Sequence, residues 1–177
     1  MGFFKWYNGA LTTHPLITKM FTSFVTFGTG DFVCQQIEKS RNKEKKYNFL
    51  RTLKQASFGF MVTPYLHLQF CKIMPWLFKG KGVGTTVKNV VYDQIIGAPI
   101  FTAMFFIYLN MSNNKSFEES VKELEKKLLP TLYMTWKIWP FLMFLNFYFI
   151  PVPYRVLFSN ITGIFWSAYL SSAQNSN

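Results

Sequence analysis

The sequence predicts an all-α integral membrane protein: a bundle of four to five membrane helices with short amphipathic surface helices, in a single domain over 1–177. Three observations carry this expectation. The charges are scarce and clustered: Lys, Arg, Asp and Glu make up 15% of the 177 residues, against about 25% in an ordinary globular domain. Residues 94–114, 138–154 and 156–177 carry no charge, and 55–71 holds only His67. Apolar gaps of roughly 17–25 residues are the length a membrane helix needs. Mean hydropathy is only +0.12 because charged loops dilute these segments.

The second observation is the stretch Trp136 to Arg155, WKIWPFLMFLNFYFIPVPYR, with eight aromatic rings in twenty residues and a charge only near each end. Such a run is built for lipid. Its Trp139-Pro140 and Pro151-Val152-Pro153 signals mark where a helix bends or stops. The third is the placement of the net charge of +11. Lys39, Arg41, Lys43, Lys45, Lys46, Arg51 and Lys54 stand against a single Glu44 between two apolar segments. This reads as a loop at a bilayer surface. It does not read as a nucleic-acid groove, because no aromatic side chains interleave for base stacking. The expected partner is the lipid bilayer, with a homo-oligomer or a larger membrane complex beyond it, and no nucleic acid.

Residues 1–13 set Phe3, Phe4, Trp6, Tyr7 and Leu11 against Lys5 and Asn8, an amphipathic lead-in for the interface. The first membrane helix starts near Pro15, a favoured first helical position, and runs to about Glu38. The second runs from about Arg51 to Phe78 and contains Pro64 and His67. Gly80, Gly82 and Gly84 make a turn with Lys79 and Lys81. The third helix runs from about Val87 to Met111. Residues 116–129 form a surface helix opened by a Ser116/Glu119 capping box. The fourth membrane helix spans about Leu132 to Ile150, and 154–172 is a fifth embedded helix or a re-entry into the bundle. The richer basic loops, 39–54 and 115–127, belong on the non-translocated side. No secretory signal peptide is visible, and the acid-free first thirty residues only faintly suggest mitochondrial import.

Polar residues inside apolar segments are the candidate functional groups. Asp31, with Gln35 one turn on, lines a hydrophilic path or forms a buried pair with a cation such as Lys72 or Arg155. Asp93, next to Gln94, is expected at the start of its helix, where the helix N-terminus favours an acid. Asn146 suits a hydrogen bond between helices. His67 either titrates near neutrality or makes a structural hydrogen bond. Ser159, Gly163, Ser167 and Ser171 recur every fourth residue, a small-residue ridge for close helix packing, within the bundle or between copies. Cys34 and Cys71 are expected as free thiols. No metal-ligand spacing, nucleophile elbow, phosphate loop or paired carboxylate is present, so neither a cofactor nor an enzymatic activity is expected.

The order and spacing of these residues resemble the Mpv-seventeen family, also called the twenty-two-kilodalton peroxisomal membrane protein family. The resemblance covers nearly the whole chain. It rests on Trp6-Tyr7, Leu11 and His14-Pro15; Gly30-Asp31 with Gln35-Gln36; Arg51-Thr52; Gly59, Pro64 and His67; Asp93-Gln94 with Pro99; Trp139-Pro140, Asn146-Phe147, Pro151 and Arg155; and Trp166 with Tyr169-Leu170-Ser171. It implies a small integral protein of the inner mitochondrial or the peroxisomal membrane, in a family where some members look like weakly selective channels, mitochondrial members are tied to membrane potential and mitochondrial DNA maintenance, and no member resembles an enzyme. The chain departs from the family pattern at Met143, where a Gln is usual, at Thr63 and Gln69-Phe70, and at Asn48, where an acid is common.

Overall fold

Proline, glycine and capping side chains set most of the helix ends. The computed structural model describes residues 2–174, and within these it does not describe the side chains of 3, 4 and 167–174. Among the described residues the regular structure is helical, with no strand. Helix α1 (Gly2–Thr13) ends at His14, and Pro15 opens α2 (Pro15–Arg41). Helix α3 (Phe49–Leu68) runs on through a π-helical turn (Gln69–Ile73) into the short α4 (Met74–Leu77). Gly80 and Gly82 then take φ of +109° and +104°, the left-handed region that favours glycine, and reverse the chain.

Helix α5 (Val83–Tyr92), a second π-helical turn (Asp93–Gly97) and α6 (Ala98–Ser112) make one continuous helix. Val83–Ser112 is long and apolar enough to cross a bilayer by itself. Helix α7 (Phe117–Thr135) opens with the Ser116 hydroxyl accepting from the Glu119 N–H, while the Glu119 carboxylate accepts from the Ser116 N–H. On this helix Glu123 pairs with Lys115 and with Lys127, whose charges hold its carboxyl down to about 2. Helix α8 (Trp139–Phe149) ends at Pro151, a short 3-10 turn (Val152–Tyr154) follows, and α9 (Arg155–Gln174) closes the described chain.

One expected boundary is corrected. The surface helix does not stop before Pro130 but continues to Thr135, so the expected span Leu132–Ile150 is divided between α7 and α8. Proline removes a hydrogen bond to the carbonyl four residues back. Here that carbonyl belongs to Lys126, which like Pro130 is an exposed residue, so the lost bond falls on the outer side of the helix. The break falls instead at 136–138, just before Pro140 starts α8. With 11 residues, α8 reaches about 16 Å, short of the roughly 30 Å hydrocarbon core.

The chain divides into two compact units, 1–64 with 156–177, and 65–155. In the first, α2 and α3 pack with little between them. A Cβ on Gly28 would lie 3.3 Å from Ala56 Cβ, and one on Gly59 2.7 Å from the Ser23 carbonyl oxygen. Phe27 meets Phe58 edge to face. Helix α9 meets α2 through Asn160 and Ile164, one turn apart, and Val156 one turn earlier is also buried. The Asn160 amide donates to Ser23 Oγ (2.7 Å), and Ile164 lies against Gly30.

Within the unit these contacts lie beside the small-residue ridge, on positions 160 and 164. A Cβ built on Gly163 meets nothing within 4 Å among the described residues, Ser159 is half-buried, and Ser167 and Ser171 lie outside the described side chains. Gly163→Leu is therefore expected to leave the thermal midpoint of the purified protein within the shift that about 0.5 kcal/mol produces, the usual range for a substitution away from packing. A loss of several degrees would reveal a neighbour on that face.

In the second unit α6 packs on α7 and α5 on α8, and Phe70 meets Phe147 edge to face. Large apolar side chains point outward in both units: Phe165 is 71% exposed, Ile95 66% and Phe149 65%. So many exposed apolar residues need a covering, which a bilayer supplies.

Candidate functional site

Asp31 sits in the C-terminal half of α2, its side chain 4% exposed, and its partners come from the start of α3. Asn48 caps α3 by accepting from the Arg51 N–H (3.0 Å), as a short polar side chain does at a helix N-terminus. This turn presents Arg51 and Thr52 to α2. Arg51 Nε donates to Asp31 Oδ1 at 2.8 Å, and the Thr52 hydroxyl donates to Asp31 Oδ2 at 2.7 Å. Gln35 Nε2 lies 2.7 Å from Asp31 Oδ2 and 3.0 Å from the Asn48 carbonyl oxygen, while its Oε1 accepts from the Asn48 N–H at 2.7 Å. The two remaining guanidinium nitrogens fork onto Glu38 at 3.1 Å each, the planar bidentate geometry that arginine forms with a carboxylate. Lys45 approaches Glu38 at 3.4 Å.

The buried-pair alternative for Asp31 thus has a different cation from those expected. It is Arg51, not Lys72 or Arg155. Arg51-Thr52 was already visible as part of the family resemblance; its link to an acid twenty residues earlier was not.

Asp93 is not at a helix start. Its helix begins ten residues earlier, at Val83, so the helix N-terminus cannot stabilise it. Asp93 opens the second π-helical turn, and Gln69 opens the first. Gln69 Nε2 donates to Asp93 Oδ1 and Gln94 Nε2 to Asp93 Oδ2, both at 2.8 Å. Gly97 makes this approach possible: a Cβ there would lie 2.2 Å from Gln69 Nε2 and 2.9 Å from Asp93 Oδ1. A π turn loosens the regular backbone ladder and recurs at functional sites. Here two of its carbonyls take side-chain donors, Gln94 O from Trp136 Nε1 and Gly97 O from the Tyr65 hydroxyl, each at 3.2 Å. Gln69 is one of the departures from the family pattern, and its pairing with Asp93 was not legible in the sequence.

Asn146 and Arg155 meet at the α8–α9 joint. Asn146 Nδ2 donates to the Arg155 carbonyl oxygen (3.1 Å) and lies 3.9 Å from Met143 Sδ. The Arg155 guanidinium donates to the carbonyls of Phe147 (3.2 Å) and Ile150 (3.3 Å), and stacks 5.3 Å from the Phe147 ring centroid. A cation on the last carbonyls of a helix is favourable, so Arg155 closes α8 where Pro151 ends it. His67 is half-buried in the last turn of α3. The expected polar residues thus fall in three hydrogen-bonded groups: Asp31 with Gln35 in the first unit, and Asp93 with Gln94, and Asn146 with Arg155, in the second. Among the described residues no group of three His, Cys, Asp or Glu side chains could hold a metal. Cys34 is buried and Cys71 half-buried, both as free thiols.

A profile described as the Mpv17 / PMP22 family matches residues 110–171. The chain is 35% identical over 172 residues to PXMP2/4 family protein 4 of Dictyostelium discoideum, covering 97% of this chain and 92% of the relative. It is 31% identical over 169 residues to peroxisomal membrane protein 2 of Bos taurus, with 94% and 86% covered. To the mitochondrial inner membrane protein Mpv17 of Danio rerio it is 28% identical over 174 residues, 98% of each chain. No solved structure matches the chain. With outward apolar side chains, hydrogen-bonded polar groups inside, and relatives aligned over almost its whole length, the chain is a membrane protein and belongs to the Mpv17 / PMP22 family.

Proposed function

We propose that the chain is a multi-pass protein of the mitochondrial inner membrane, or alternatively of the peroxisomal membrane, that acts as a weakly selective channel for small solutes and thereby affects membrane potential. It is not an enzyme on this reading. The carrying observation is the polarity of the second unit's interior. Among its buried described residues, polar side chains such as Gln69, Asn89, Asp93, Gln94, Asn110 and Asn146 outnumber the hydrophobic ones. Polar groups at membrane depth are expensive and usually face a bundle interior or a water-filled path. The names of two relatives, peroxisomal membrane protein 2 and mitochondrial inner membrane protein Mpv17, support the two membranes.

The crossings on this reading are α2, residues 49–77, Val83–Ser112 and α9, with α8 as a shorter embedded helix. The basic loops 39–54 and 115–127 face the matrix. A second reading, an accessory subunit of a larger inner-membrane complex, is favoured by one fact: every carboxylate oxygen of Asp31 and Asp93 already accepts a protein hydrogen bond. In that case the polar residues only join helices. Planar bilayers separate the two. The purified, folded chain is expected to give discrete conductance steps with weak ion selectivity. Folded protein that conducts nothing would remove the channel reading, and migration with a large assembly on native gels would then support the subunit.

A further inference from the structure

The group around Asp93 holds more acceptors than donors. We infer that it binds a small, dehydrated alkali-metal cation. Asp93 is 8% exposed and takes part in none of the ion pairs among the described residues, which engage Asp31, Glu38, Glu118 and Glu123. Among the described residues its carboxylate accepts hydrogen bonds from two neutral amides. The oxygens of those same amides, Gln69 Oε1 and Gln94 Oε1, are buried with no hydrogen-bond partner among the described residues, and so is Asn89 Oδ1. Gln69 is 2% exposed, Asn89 6% and Gln94 8%. Asn89 stands four residues before Asp93 on the same helix, hence on the same face.

An ionised carboxylate buried among neutral amides, in a group that also holds three unpaired amide oxygens, is costly twice over. A cation resolves both deficits. An amide that turns over exchanges its N–H donor for its carbonyl oxygen at nearly the same place, and the two orientations are alike in shape. Turned this way, Gln69 and Gln94 would offer carbonyl oxygens beside the carboxylate.

The donor set fixes the class of ion. One carboxylate with neutral carbonyl oxygens balances one positive charge. A divalent ion usually draws on further carboxylates or waters, and soft metals need thiolate or imidazole. Packing at Gly97 is tight, since one added carbon would meet both Gln69 and Asp93, so an ion carrying its hydration shell would not fit beside them. Both π-helical turns start at residues of this group, and a widened turn lets backbone carbonyls reorient toward an ion, as broken membrane helices do. The site does not require the chain to conduct.

The test uses the purified full chain in detergent at fixed pH and ionic strength, with N-methyl-D-glucamine chloride replaced stepwise by LiCl, NaCl or KCl. The expected result is a saturable rise of the thermal midpoint that favours one of these cations, since a ligand of the folded state stabilises by mass action. The rise should vanish in Asp93→Asn, weaken in Gln69→Met, and persist in Glu118→Gln on the exposed face of α7. Midpoints that coincide in all the salts, or that respond to pH alone, would overturn the site. So would a rise that Asp93→Asn retains. If Asp93→Asn does not fold, Gln69→Met decides: a folded variant with the parent's cation response overturns the inference.

Discussion

Arg51→Ala is expected to be the most damaging single substitution in the first unit, at about 2–4 kcal/mol. The change leaves the Asp31 carboxylate, 4% exposed, with the hydrogen bonds of Gln35 and Thr52 but without its cation. Breaking a fully buried pair by removing one partner costs roughly 3–5 kcal/mol. The Arg51 side chain is 39% exposed, so solvent screens part of the attraction, and the expectation sits lower. The same change frees Glu38, which keeps Lys45 and is closer to solvent.

Asp31→Asn should be milder, at about 1–2 kcal/mol, because Arg51 retains its fork on Glu38 and its access to water. Thermal unfolding of the three proteins in detergent checks the order parent, Asp31→Asn, Arg51→Ala. An Asp31→Asn protein less stable than Arg51→Ala would mean that the stranded group is the cation, buried more deeply than Arg51 is here.

Gly59→Ala is expected to cost about 1–3 kcal/mol, the range for overpacking a well-packed contact, and to lie toward its upper end. The added carbon would stand 2.7 Å from the Ser23 carbonyl oxygen and 2.7 Å from the Phe27 ring. A backbone carbonyl cannot turn aside, so α2 and α3 would have to separate. That would also disturb the Ser23–Asn160 hydrogen bond that holds α9. Gly84→Ala is the control: nothing lies within 4 Å of its added carbon, and alanine is the better helix former. A Gly59→Ala protein as stable as Gly84→Ala would show that α2 and α3 do not approach closely at this point.

The features legible in the sequence were local ones. Pro15 at a helix start, the Ser116/Glu119 capping box, the glycine turn after Leu77 and the proline stop after Phe149 act over a few residues, and each sits where its own chemistry predicts. The misplaced features depend on distant partners. Nothing near Asp31 announces Arg51, since the pairing exists only once α2 and α3 lie side by side. Asp93 looked like a helix start because a charge after a glycine turn suggests one, yet the helix had already run three turns. Asn160 and Ile164, which pack on α2, stand next to the small-residue ridge of α9, whose own role between copies is still an expectation. The surface helix was expected over 116–129, yet with Lys126 and Pro130 both exposed α7 passes on to Thr135.

The central claim is that apolar side chains face lipid while polar ones face inward at the same depth. Single cysteines at Phe21, Val25 and Phe165, and at Ser23 and Asn160, each spin-labelled in the full chain reconstituted into bilayers, test it directly. Power saturation should find oxygen-rich, water-poor surroundings at the first three positions, as expected for lipid. The labels at 23 and 160 should be shielded from lipid oxygen and more sluggish in motion. Water-soluble relaxation agents reaching Phe21, Val25 and Phe165 as readily as a label in the 39–54 loop would contradict the account.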